Sequence, residues 1–156
     1  MVSQLNADTF RNSVDLHLKG WAPRLDMLQE SRTVIEPWCA YLAAQRRTDE
    51  DVKTLSKIDD ESEFAMSGGG DFLACKLRWH SALVAAAHND VLSTFVDALS
   101  QSIAHQSEPD YLTGDGDAMK RSVAEHRLVT DAIRGRDSSL AHRLMSKHVR
   151  APDLSP

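Results

Sequence analysis

Three histidines stand on apolar helical stripes where core leucines would be expected. They are His80, His126 and His148, and they fall on three different predicted helices. Imidazoles that face one another inside a helical bundle can hold a metal ion or donate hydrogen bonds to a ligand. The spacing therefore predicts a buried polar pocket in which these three side chains meet.

Two basic residues interrupt the same kind of stripe. Arg32 lies between Leu28 and Ile35 on the first long predicted helix, and Lys76 lies one turn before His80. Burying this many polar groups without partners would cost about 1–3 kcal/mol for each group. A shared ligand, ion or water cluster is therefore expected to satisfy all five side chains together.

The sequence shows no obvious carboxylate on the inner stripes. Glu125 adjoins His126, but neighbouring residues point about 100° apart around a helix. The pocket is therefore expected to be positive inside an acidic protein, and to select a small molecule with a carboxylate or phosphate group. The remaining histidines fall at helix ends or off the stripes and are expected to face solvent; they are His17, His88, His105 and His142.

The apolar periodicity that positions these residues predicts an all-α antiparallel bundle of six to seven helices. Helices are expected at about 8–21, 24–47, from 48–51 onward, and at about 71–87, 90–105, 117–135 and 137–149. A kink is expected at Pro37, a break at residues 67–70, a loop at residues 107–117 and a helix C-terminal cap at Gly135. The predicted organisation is a leader or linker helix over 1–23, a helical domain over 24–150 and a disordered tail over 151–156.

Composition limits the classes of function. The chain has 156 residues and a net charge of −5, without the basic cluster that direct nucleic-acid binding requires. The two cysteines, Cys39 and Cys75, lie on separate predicted helices and are expected to be buried free thiols. Neither a membrane-spanning apolar segment nor a signal-peptide pattern is visible, so a soluble, cytoplasmic protein is expected.

Three segments together resemble the FCD domain, the all-helical effector-binding domain of FadR-type regulators in the GntR family. The first, at residues 25–55, reads LDMLQESRTVIEPWCAYLAAQRRTDEDVKTL. The second and third, at residues 76–92 and 124–149, read KLRWHSALVAAAHNDVL and AEHRLVTDAIRGRDSSLAHRLMSKHV. The resemblance covers roughly residues 24–149, and the three motifs are specific jointly rather than singly.

The resemblance implies a divalent metal held by an aspartate and three histidines. His80, His126 and His148 match the three histidines, whereas Lys76 occupies the aspartate position. In one arrangement the imidazoles still hold Zn²⁺ or Ni²⁺, and Lys76 swings aside or pairs with a metal-bound carboxylate. In the other, Lys76 replaces the metal as the fixed positive charge and binds an anionic ligand directly with Arg32. The second arrangement is slightly favoured, because a buried ammonium beside a dication needs an additional anion.

The resemblance also implies the function. The chain is expected to be the effector-sensing, dimerising domain of a transcription regulator, not an enzyme, with a small carboxylate metabolite as its ligand. DNA would be contacted only through a winged helix-turn-helix, for which residues 1–23 are too short. The alternatives are a small metalloenzyme with three histidine ligands, and an interaction bundle whose inner polar groups bind water.

Overall fold

The computed structural model describes residues 7–21, 24–112 and 116–150, and every regular element in these ranges is a helix. The seven α-helices are α1 (Ala7–Trp21), α2 (Leu25–Arg46), α3 (Asp49–Phe64), α4 (Phe72–Ala85), α5 (Asp90–Leu112), α6 (Gly116–Arg134) and α7 (Ser138–His148). The all-α prediction is confirmed, and α2 runs without interruption through Pro37.

One predicted loop is wrong. The turn-forming composition of residues 107–117 suggested a loop there, but α5 continues to Leu112 and α6 begins at Gly116. Extending an existing helix costs little once its first turns are held by packing, so local composition is a weak signal against continuation. Residues 113–115 and the predicted tail at 151–156 lie outside the described part of the chain.

The centre of the bundle is the helix α2, which packs against α4, α5, α6 and α7. Its inner face is made of small residues, Cys39, Ala40, Ala43 and Ala44, all with no solvent exposure. Small side chains let the neighbouring helix backbones approach closely. Larger side chains from the surrounding helices complete the core, and they are Leu55, Trp79, Leu83, Val129, Ile133 and Met145.

A second, smaller core joins the first helices to α5. Leu28, Leu99 and Ile103 are buried there, with Leu18 and Leu25 packed against them. The helix α1 thus lies along α5.

The break predicted at residues 67–70 is present. The helix α3 ends at Phe64 and is followed by a π-helical turn over Ala65–Gly69, in which the backbone of Gly68 is not helical and has a φ of 90°. A positive φ is strained for residues with a side chain but not for glycine, which explains why a glycine occupies position 68.

The turn between α6 and α7 differs in detail from its prediction. Gly135 follows the last helical residue as expected, but the left-handed residue is Arg136, with a φ of 58°. Its guanidinium donates hydrogen bonds of 3.0 and 3.1 Å to the carbonyl oxygens of Gln45 and Arg47. These bonds offset the backbone strain of a non-glycine residue at this position and fix the turn against the end of α2.

Both cysteines are buried and unpaired, on α2 and α4 as expected. Burial, aided by the nearby Glu36 carboxylate, raises the pKa of the Cys39 thiol to about 12, so this sulfur stays protonated.

Of the helices that the structure describes, none combines the length and the apolar character needed to cross a membrane.

The start of α3 provides a test of local stability. Thr48 Oγ1 accepts a hydrogen bond of 3.1 Å from the Asp51 backbone N–H, and the Thr48 N–H donates to Asp51 at 2.7 Å. We expect Thr48→Ala to lower the free energy of unfolding by about 1 kcal/mol in urea denaturation, because alanine lacks the hydroxyl that accepts the Asp51 N–H, although its backbone N–H can still donate to Asp51. Thr54→Ala, at an exposed position of the same helix, is the control and should cost less than half as much.

Candidate functional site

The structure brings the three stripe histidines together in the bundle interior. His80 comes from α4, His126 from α6 and His148 from α7. One ring nitrogen from each lies within 4.8 Å of the others, and the Nε2 atoms of His126 and His148 are 3.0 Å apart. His80 and His126 are each 1 % exposed, so the three imidazoles converge on a point shielded from bulk water.

A buried carboxylate orients His80. Glu36, on α2, has no solvent exposure, and its Oε2 lies 2.6 Å from Nδ1 of His80. Since a carboxylate only accepts, Nδ1 carries the proton and the lone pair is on Nε2. Glu36 was not predicted from the sequence, although its place one turn after Arg32 on the same stripe was a signal for it.

Arg32 balances the charge of that carboxylate. Its guanidinium forms a two-point ion pair with Glu36, in which Nη2 lies 3.2 Å from Oε2. The same Nη2 lies 2.9 and 3.1 Å from the two ring nitrogens of His80. The hydrogen-bonding directions of the two ring nitrogens diverge within the plane of the ring. An atom almost equally distant from both nitrogens therefore lies over the face of the ring. Arg32 is therefore engaged by Glu36 and His80, rather than extended toward an open site.

A second carboxylate orients His148 in the same way. Glu125 Oε2 accepts a hydrogen bond of 2.8 Å from Nδ1–H of His148, which leaves the His148 lone pair on Nε2. The expected divergence of Glu125 from His126 does not keep this carboxylate away from the cluster. Its direction diverges from that of His126 on α6, but α7 carries His148 into the space on that side. The expectation of no carboxylate on the inner stripes was wrong, because Glu36 is buried on α2.

Among the residues that the structure describes, no carboxylate forms a hydrogen bond with His126. Its Nδ1 is buried and has no hydrogen-bond partner, unlike the corresponding atoms of His80 and His148. The buried indole of Trp79 stacks on the ring instead, with ring centroids 3.8 Å apart and planes only 4° from parallel. His126 is thus the one stripe histidine that is oriented by an aromatic contact.

The three imidazoles are neutral at physiological pH. Burial lowers the pKa of His80 to about 3, despite the opposing effect of the Glu36 charge. Burial also lowers the pKa of His126 and of His148, with Lys76 contributing to both shifts. Burial alone would raise the pKa of Glu36, but the hydrogen bond from His80 and the charge and hydrogen bonds of Arg32 outweigh it and hold this carboxyl ionised.

Lys76 completes the electrostatics. Its side chain is half-buried on α4, and its positive charge contributes to the lowered pKa of both His126 and His148. Arg32 pairs with Glu36, and Glu125 accepts a hydrogen bond from His148, so charged side chains of both signs surround the cluster. The expectation of a wholly basic pocket is therefore replaced by a site in which positive and negative side chains are mixed.

The donor set fits a divalent transition metal held by His80, His126 and His148. Neutral imidazoles are preferred ligands of Zn²⁺ and Ni²⁺, and metal–nitrogen bonds of about 2.0–2.1 Å place ligand nitrogens roughly 3.3 Å apart in a tetrahedral site. The Nε2 atoms of His126 and His148 are 3.0 Å apart, close to that distance. Metal-binding histidines usually donate their second N–H to a carboxylate or carbonyl, as His80 and His148 do to their carboxylates.

His17, His88 and His142 lie outside this cluster. His17 and His88 are exposed, as expected, and His88 contacts Asp51 at 2.9 Å. His142 is half-buried rather than fully solvated, because its ring packs edge-on against Trp38 with centroids 4.7 Å apart. The side chain of His105 lies outside the described residues.

A buried polar chain continues from Trp79 away from the histidines. The Trp79 indole N–H donates a hydrogen bond of 3.2 Å to Thr130 Oγ1. The Thr130 hydroxyl in turn donates to the carboxyl of Asp59, which is 2 % exposed on α3. Burial raises the pKa of Asp59 to about 6, and the hydrogen bond from Thr130 only partly opposes this effect.

Comparison with known proteins gives consistent matches. A family model described as "FCD domain" matches residues 27–151. The chain is 30% identical over 122 residues to the galactonate operon transcriptional repressor of Escherichia coli (strain K12), covering 78% of this chain and 53% of that protein. A solved structure of Streptococcus agalactiae GntR superposes with a TM-score of 0.68 and 27% identity, covering 80% of this chain and 56% of that one.

These matches confirm the resemblance drawn from the three sequence motifs. This chain spans about half the length of each of the two similar proteins. The repressor is named as a regulator rather than as an enzyme, in agreement with the expectation that this chain is not an enzyme.

The Arg32–Glu36 pair makes a stability prediction. We expect Glu36→Gln to lower the free energy of unfolding by about 3–5 kcal/mol, because it leaves the buried Arg32 charge without a counter-charge. Glu30→Gln, the same change at an exposed position of α2, should cost under about 1 kcal/mol. Chemical denaturation of both variants, in chelator, measures the difference, and equal values would contradict the assigned pairing.

Asp59 makes a prediction about pH. The folded state retains the Asp59 proton up to about pH 6, whereas an unfolded aspartate releases it near 3.8, so this residue lowers stability as pH rises through that window. The full penalty above pH 6 is about 3 kcal/mol. In Asp59→Asn it is absent, so the unfolding free energy of the variant relative to wild type should increase from pH 4 to pH 7.

The control for this measurement is Asp60→Asn, at the next residue, whose side chain is 73% exposed. Its stability relative to wild type should vary little over the same range. A flat difference for Asp59→Asn would show that Asp59 titrates normally in the folded protein.

Proposed function

Because the chain belongs to the FCD domain family, we propose that it is the effector-sensing and dimerising domain of a GntR-type transcription regulator. In this proposal the domain binds a small organic acid at the three-histidine cluster, and a homodimer transmits its occupancy to DNA-binding domains outside this chain. The observation that supports the proposal most directly is the convergence of three neutral imidazoles in the bundle interior.

A resident divalent metal is part of the proposal. With Nδ1–H donated to carboxylates, His80 and His148 turn unprotonated Nε2 atoms inward. Inward lone pairs repel an anion but attract an electrophile, so the cluster is better suited to Zn²⁺ or Ni²⁺ than to direct binding of an acid. When bound, the metal would supply a Lewis-acidic centre with open coordination positions for a ligand oxygen.

Lys76 is proposed to recognise the acid. Lys76 lies half-buried on α4, one turn before His80, and its charge acts on both His126 and His148, so a carboxylate that approaches the metal can pair with it. Arg32 contributes less than the sequence suggested, because Glu36 already occupies its guanidinium. The name of one similar protein points to galactonate, a sugar acid, which belongs to the same chemical class as the proposed ligand.

The proposed signal is a change in helix packing. The histidine cluster draws side chains from α4, α6 and α7, and Glu36 ties it to the central helix α2. A ligand that prefers one relative position of these helices shifts the population toward it. In a dimer, such a shift would alter the spacing of the attached DNA-binding domains.

The metal is tested by calorimetric titration of chelator-treated protein with Zn²⁺ and with Ni²⁺. We expect one ion per chain, and affinity lost by about 100-fold in His148→Gln because one of three ligands is removed. His142→Gln, on the same helix but outside the cluster, is the matched control and should bind as wild type does. Failure of wild type to bind either ion would contradict the metal part of the proposal.

Lys76 is tested in the same protein with galactonate, citrate and succinate as probe acids. Lys76→Met should weaken the binding of whichever acid the metal-loaded wild type prefers by roughly tenfold or more, through loss of a charge-assisted hydrogen bond. Lys76→Asp should tighten the metal and weaken the acid further. If metal and acid affinities are both unchanged in Lys76→Asp, Lys76 does not face the site.

A further inference from the structure

The three histidines of the cluster are not held in equivalent ways. His80 and His148 each donate Nδ1–H to a carboxylate, at 2.6 and 2.8 Å. His126 has no such partner, since its Nδ1 is buried without a hydrogen bond. Rotation of a ligating ring is normally prevented by the hydrogen bond of its second nitrogen. Another interaction must therefore fix the plane of the His126 ring.

Trp79 makes the contact that can fix this plane. Its indole covers the His126 ring at a centroid distance of 3.8 Å, with the two planes 4° apart. Trp79 also touches the other two rings edge-on, with centroids 5.2 Å from His80 and 6.1 Å from His148. With no solvent exposure, the indole fills the space behind the cluster and leaves His126 little room to turn.

The indole itself is anchored by hydrogen bonds. Its N–H donates to Thr130 Oγ1 at 3.2 Å, and the Thr130 hydroxyl donates to the Asp59 carboxyl. All three side chains are at most 2 % exposed. A hydroxyl that accepts one hydrogen bond while donating another is fixed in orientation, and successive bonds of this kind strengthen one another. The chain joins α4, α6 and α3, whereas the carboxylates that orient His80 and His148 come from α2 and α6.

We infer that Trp79 is a positioning residue for His126, and that the buried chain Trp79–Thr130–Asp59 holds the indole in place for this role. The inference rests on the proposed function, because it gives the buried chain Trp79–Thr130–Asp59 a role at the three-histidine metal site. An indole cannot ligate the metal, and Thr130 lies one turn beyond His126 on α6, where its hydroxyl bonds to Trp79. The chain acts on the site through the orientation of one ring.

The test compares Thr130→Val with Thr130→Ser. Valine has the shape of threonine but neither donates nor accepts, whereas serine keeps the hydroxyl. The matched control is Thr94→Val, since Thr94 is also a buried threonine but its hydroxyl bonds only to the Asp90 carbonyl of its own helix, at 2.8 Å. All proteins are compared at equal folded fraction, which is verified by circular dichroism.

Two readouts are used. In metal-free protein, NMR of ¹⁵N,¹³C-histidine reports the upfield ring-current shift that the stacked indole imposes on the His126 ring protons. Calorimetric titration with Zn²⁺ then gives the metal affinity. We expect Thr130→Val to lose much of the ring-current shift and to bind Zn²⁺ about tenfold more weakly. Thr130→Ser and Thr94→Val should retain both properties.

The outcomes separate this inference from the proposed function. An unchanged His126 shift and an unchanged Zn²⁺ affinity in Thr130→Val would overturn the inference. An equal loss of Zn²⁺ affinity in Thr94→Val would also overturn it, since the effect would then be general loosening of the core. If wild type binds no Zn²⁺, the proposed metal site fails, and the NMR comparison alone decides whether the chain orients His126.

Discussion

The ionised Glu36 carboxylate, buried at the centre of the bundle, constrains everything around it. A charge without solvent exposure must be paired and fully hydrogen-bonded, and here Arg32 supplies the counter-charge while His80 supplies an N–H. These partners come from α2 and α4, so the position of one helix relative to the other is set by the needs of a single side chain. The same bonds fix the tautomer of His80 and thereby aim its lone pair.

The other two histidines show that the orientation of a buried ring can be fixed in different ways. His148 uses a carboxylate from the neighbouring helix, whereas His126 is covered by the indole of Trp79. Both solutions leave Nε2 directed inward, where the rings of α6 and α7 meet at 3.0 Å. Neutral rings in that arrangement favour an electrophile. The site therefore combines an electron-rich centre with the charge of Lys76, which acts on His126 and His148. This combination supports the proposal of a metal that binds an anionic ligand.

The local sequence pattern predicted the helices correctly because each helix carries its own apolar stripe. The capping box at Thr48 and the break around Gly68 are short-range features, so they too can be recognised within a few residues of sequence. The end of α5 was misjudged for the converse reason. The turn-forming residues there compete with a helix that is already stabilised by the packing of its N-terminal half. Local composition does not show which of these two effects is larger.

What the sequence determined by itself is the set of helices and the inward placement of His80, His126 and His148, since both follow from a period of 3.6 residues. Tertiary structure alone decided which groups those rings meet. Glu36 appeared as one charge among many, and Glu125 diverges from His126 on its own helix, yet packing of α2 and α7 brings each carboxylate to a histidine. Such partners are chosen by the relative positions of separate helices, and helical periodicity carries no information about those positions.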